Sequence, residues 1–154
     1  MILIGIHAVL GELGALAFLW VLVELISPTE ARVRRAKIVA LAGVLLLCAS
    51  WVAGGLNYLD LYQAAVKPVI KAGPLPWAHS VITETKEHVF LFIPFLAFAA
   101  WAMLTHYGSA LAREKGARVA VVLLAALVVL MSFAMAGMGF LISSGYRSAL
   151  EATV

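Results

Sequence analysis

His7 and His88 are the side chains in this sequence best suited to chemistry, because both fall within expected membrane spans, His7 amid apolar residues and His88 where a polar cluster gives way to them. An ionisable group there is expensive and marks a pathway or a site. On a helix, the residues at i+4 and i+7 from His7 are Gly11 and Gly14, so an imidazole would stand above a shallow groove. Neutral imidazole is a good iron ligand and tolerates a low-dielectric setting. Two histidines facing each other across a helical bundle, with glycines making space, are how a b-type haem is held by two axial ligands. On that reading His7 and His88 ligate the iron, and Gly11, Gly14, Gly55 and Gly137 make room for the porphyrin. Glu12 and Glu84 would hold the counter-charges of the propionates or take up protons with the electron. The blander reading is an interior histidine satisfied by a hydrogen bond, with glycines that only let helices pack closely.

Other residues widen the choice. Met131, Met135 and Met138 recur at i, i+4 and i+7, a stripe that usually means packing but that also admits His/Met haem ligation or a thioether site for Cu(I). Thr83-Glu84-Thr85-Lys86-Glu87-His88 is the densest polar cluster, with Glu84 and His88 one turn apart and Lys86 placed to neutralise Glu87 or Glu12. Together with His7, Glu12 and His79 this set offers ligands for a Cu, Zn or Fe ion. Against direct ligation, the repeated Glu-x-x-His of di-iron bundles is missing, and Glu12 lies about 140° around the helix from His7. His79 follows Pro76-Trp77 and reads as an interfacial residue. Cys48, Trp51, Gly55 and Tyr58 share a helical face, where Trp51 and Tyr58 are interfacial anchors or walls of a flat cofactor or quinone pocket. No nucleophile–base triad, phosphate loop or nucleotide fingerprint is present.

These residues must be positioned by elements that live in lipid. Of the 154 residues 64% are hydrophobic and only 12% charged, and mean hydropathy is +1.05. A soluble domain is nearer half apolar and a quarter charged. At about 20 residues per crossing the length suits four helices and no soluble domain besides. The expected spans are residues 2–26, 38–59, 77–106 and 117–142, in one membrane domain. The first begins close to Met1 with no basic lead-in or small-residue cleavage site, which argues against a removable signal peptide. Ser27-Pro28-Thr29-Glu30 stops it and starts the next helix. The longest connection, 60–76, reads as a segment on the outer membrane surface or a lid over that end of the bundle. Pro68 confines any helix in it to a turn or two on either side, and Gly73-Pro74 ends it.

Seven of the eleven Lys and Arg lie at Arg32, Arg34, Arg35 and Lys37 and at Arg113, Lys115 and Arg118. Basic loops of this kind face the cytoplasm, so both termini should lie on the other side of the cell's inner membrane. The fold expected is an all-α, antiparallel, up-down-up-down four-helix transmembrane bundle, with spans one and three diagonal. The basic segments carry no interleaved aromatics or recognition spacing, so nucleic acid is not an expected partner. The lone Cys48 excludes an internal disulfide. His7, Glu12, His79, Glu84, Glu87 and His88 then gather in the outer, periplasmic half. His106 lies about 27 Å from His88 along one helix, too far to join them.

In topology, though not in motif, inward histidines on non-adjacent spans are similar to those of small membrane cytochromes b. The leading expectation is an electron-transfer protein with one outer haem b that serves a quinol or an outer-side redox protein. The alternatives are a non-haem metal carrier or metal-dependent enzyme, and a structural subunit of a homo-oligomer or larger membrane complex.

Overall fold

The structure, a computed structural model, describes residues 2–152. Helix α1 runs Ile2–Ile26, and α2 runs Glu30–Asn57. From α2 the chain continues through a π-helical segment, Tyr58–Val66, into the short α3, Lys67–Ala72. A second π-helical segment, Ala78–Thr83, leads into α4 (Glu84–Phe90) and α5 (Phe92–Tyr107). A 3₁₀ turn at Gly108–Ala112 precedes α6, Lys115–Glu151. No strand occurs among the described residues. Four helical rods of 25, 43, 35 and 37 residues are long and apolar enough to cross a membrane.

The chain is thus all-helical, with helices where the hydropathy put the spans, but two boundaries move. The second helix starts at Glu30 rather than near residue 38, because the Thr29 side chain caps it by accepting from the Arg32 amide at 3.3 Å. The basic run is helical surface, not loop. The 60–76 connection is likewise helical as far as Ala72. Pro68 sits in the first turn of α3, where its missing N–H is no loss, and Gly73 ends the helix.

Helix α1 packs on α2 and α6, and α5 packs on the same two, so the first and third rods are diagonal in a four-helix bundle. The core is a file of residues at 3.6 spacing from each rod: Phe18, Val21 and Leu25; Ala36, Ala40 and Val44; Ile93, Ala97, Ala100 and Leu104; Val121, Ala125 and Val128. Five of these thirteen are alanine, which lets backbones approach closely and gain dispersion contacts. Phe18 fills the gap over Gly43, where a Cβ would lie 2.8 Å from the ring.

At the basic end, the buried Glu24 carboxylate accepts from Arg32 Nε and Arg35 Nε, both at 2.9 Å, and from Trp20 Nε1 at 3.0 Å. Arg32 also donates to the Val23 and Ser27 carbonyls, satisfying the last turn of α1. This lock fixes the α1–α2 hairpin and with it the level of His7 against α2.

Candidate functional site

The end of the bundle opposite Glu24 is looser. Two adjoining cavities lie there, one of about 890 Å³ and one of about 270 Å³. Ile4, His7, Lys86, Phe90, Gly139 and Ser143 border both, so His7 and Lys86 stand at the partition. The larger cavity is walled by Trp51, Gly54, Gly55, Tyr58, Tyr62, Thr83, Glu87 and Arg147 among others. The smaller takes in Gly11, Glu12, Ser50, Ser132 and Met135. Two buried polar atoms among the described residues lack a hydrogen bond, Glu87 Oε1 and Ser132 Oγ. Each belongs to a residue on a cavity wall, which is where a ligand or water would satisfy it.

His7 is inward for the reason its sequence position suggests. Stepping back from Leu25, Val21, Phe18 and Gly14 at 3.6 spacing reaches Gly11 and then His7. Its ring lies on Gly54, where a Cβ would come within 2.7 Å of Nδ1, and meets Phe90 edge-on at 5.9 Å. The Nδ1–H donates to the Ser50 carbonyl at 2.8 Å, while the Ser50 hydroxyl donates to the His7 carbonyl, also at 2.8 Å. A carbonyl can only accept, so the proton is on Nδ1, and Nε2 keeps a free lone pair.

His88 does not meet it. The file Leu104, Ala100, Ala97, Ile93 continues backwards through Phe90 to Lys86, which leaves His88 on the opposite face of α4. His88 is exposed, borders neither cavity, and donates its Nδ1–H to the Glu84 carbonyl of its own helix at 2.6 Å. The expected pairing of His7 with His88 is therefore not made. Depth along the helix was matched, but azimuth was not.

The remaining candidates divide. Trp51 and Gly55 border the larger cavity, and Gly11, Glu12 and Met135 border the smaller. Gly14 makes room for Leu47 of α2 and not for a cofactor, since a Cβ there would lie 2.7 Å from the Leu47 side chain. Gly137 is exposed, with nothing within 4 Å of where its Cβ would be. Glu84 is exposed and lies 3.6 Å from His79. His79 is itself buried, against its reading as an interfacial residue: Tyr62 Oη is hydrogen-bonded to its Nδ1 at 3.1 Å and to Thr83 Oγ1 at 2.7 Å. Among the described residues no three His, Cys, Asp or Glu side chains are grouped to hold a metal ion. Lys86 pairs with neither Glu87 nor Glu12; the ion pairs of the described residues are those of Glu24 and the His79–Glu84 contact.

Ser50, Tyr62, Phe90 and Arg147 were not singled out from the sequence. Phe90 was legible, being on the same 3.6 file as the α5 core. Tyr62 is hidden in the sequence because 60–76 reads as a connection. Compared with known protein families, curated proteins and solved structures, the chain matches none.

Proposed function

We propose that this chain is a multi-pass membrane electron-transfer protein that holds one b-type haem in the larger cavity, with His7 Nε2 as the axial ligand. The observation that carries this reading is the 2.8 Å hydrogen bond from His7 Nδ1–H to the Ser50 carbonyl. A ligating histidine characteristically donates its other N–H to a carbonyl or carboxylate, which fixes tautomer and ring orientation and makes the free nitrogen more basic. A cavity of about 890 Å³ with aromatic walls at Trp51, Tyr58 and Phe90 suits a large flat group. With His88 turned outward, the protein supplies one axial ligand rather than two. A bare Cu, Zn or Fe site has no grouping of donors in its favour.

The basic residues around Arg32–Lys37 and Arg113–Arg118 support an orientation with that end in the cytoplasm and both termini outside the inner membrane. The haem would then lie near the outer surface, reached by quinol in the bilayer or by an outer-side redox protein. It is too far out to carry electrons across the membrane alone.

A reduced-minus-oxidised visible spectrum of detergent-purified protein tests this. We expect a b-type α band, lost in His7→Ala and kept in His88→Ala, with both variants monodisperse on size exclusion. A colourless protein from haem-replete cells would sink the proposal. Full haem content in His7→Ala would remove the ligand assignment.

A further inference from the structure

Lys86 is a cavity cation whose charge no ion pair among the described residues answers. It lies on the inward file of α4 between Thr83 and Phe90 and is half-buried. It reaches across to α6, where its Nζ lies 3.3 Å from the position a Cβ on Gly139 would take. The amine thus stands close against α6 at the partition of the two cavities. No hydrogen bond or ion pair to Nζ exists among the described residues. Lys86 lines both cavities.

The neighbouring charges do not answer it. Glu87, next in sequence, makes no ion pair with Lys86, and its buried Oε1 has no hydrogen bond. Glu12 borders only the smaller cavity and makes no ion pair with Lys86. The other basic side chains bordering the larger cavity are His7, itself a proton donor through Nδ1 and so no anion, and Arg147, an exposed second cation. An ammonium held in an apolar enclosure without a counter-anion is strongly unfavourable. The deficit ends if the occupant brings the anion.

We infer that the natural occupant of this cavity is an amphiphile bearing an acidic group, and that Lys86 binds that group. The apolar walls take the body, and Lys86, with Arg147 bordering the same cavity, takes the acid. A haem propionate and a fatty-acid carboxylate share this chemistry. The inference sharpens the haem reading if haem is the occupant, but it does not depend on it.

The experiment uses the full-length protein in non-ionic detergent, freed of endogenous ligand. Four probes are compared: haem, haem dimethyl ester, palmitate and methyl palmitate. Binding is followed by tryptophan quenching for the haems and by thermal shift for the lipids. Lys86→Gln should weaken whichever acid binds by at least about tenfold, leave its ester unchanged, and be rescued by Lys86→Arg. Ligand-free Lys86→Gln should also melt above ligand-free wild type, because it sheds an unanswered charge; this readout shows that the variant folds.

Acid and ester binding equally well, or weakening equally in Lys86→Gln, would overturn the inference while leaving a haem protein intact. Palmitate binding that depends on Lys86, with no uptake of either haem, would uphold the inference and overturn the haem reading. If none of the four binds, both fall.

Discussion

The Tyr62 hydroxyl meets His79 Nδ1 and Thr83 Oγ1 together, so replacing it with hydrogen strips two buried groups of a partner at once. Tyr62→Phe should lower unfolding stability by about 1–3 kcal/mol in a detergent melt. Ser80→Ala, which removes only an exposed bond to the Pro76 carbonyl, should stay within about 0.5 kcal/mol of wild type. At this scale the sequence was half-legible. His7 lies on the file that ends in Phe18, Val21 and Leu25, and that file is readable from spacing alone. His88 was placed by counting depth from the membrane surface, which says how far in a residue lies but not which way it turns. Carrying the Ile93–Leu104 file back two turns would have chosen Lys86 and passed over His88. What no pattern could supply was the partner of His7, because the Ser50 carbonyl belongs to the backbone of another helix.

Helix contact, more than any single bond, sets how the imidazole stands. A Cβ at Gly54 would lie 2.7 Å from Nδ1 and 2.9 Å from Cε1 of His7, whereas at the exposed Gly137, which borders neither cavity, it would meet nothing within 4 Å. Gly54→Ala should therefore turn the ring and reduce the proposed b-type band, at an overpacking cost of about 1–3 kcal/mol, while Gly137→Ala leaves both band and melt unchanged. Gly43→Ala, which forces the Phe18 ring, should cost about as much in stability without touching the band. The two π-helical segments were beyond the sequence, since an i→i+5 ladder nine residues long leaves no side-chain period to read. Their wider turns bring Tyr58 onto Tyr62, stacked at 5.4 Å, and Tyr62 onto His79. Deleting one residue between Tyr58 and Tyr62 would return that stretch toward α-helix and rotate all that follows by about 100°. Such a deletion should break the Tyr62–His79–Thr83 contacts as thoroughly as Tyr62→Phe does.

Over the whole molecule, hydropathy was the most faithful guide. The first expected span, 2–26, coincides with α1, and all four rods were foreseen because twenty-odd apolar residues leave no other solution. The rods that follow are longer than the spans expected of them; at 1.5 Å per residue α6 is about 55 Å long against a hydrocarbon core of about 30 Å. The proposed orientation makes a direct expectation. In a Cys48→Ser background, Glu151→Cys should react with a membrane-impermeant maleimide in intact cells, and Ser109→Cys only after permeabilisation. Labelling the other way round would invert the molecule and put the cavity on the cytoplasmic side. Several walls of the larger cavity are themselves exposed apolar side chains, with Trp51 at 44%, Leu56 at 48%, Leu59 at 66% and Leu91 at 44%. The opening is thus sideways, into whatever surrounds the bundle. In the membrane setting proposed above, an occupant entering there would be supplied by lateral diffusion in two dimensions, and its occupancy would follow its mole fraction in the bilayer. Doubling the lipid at fixed total ligand and protein should dilute the site just as surely as halving the ligand.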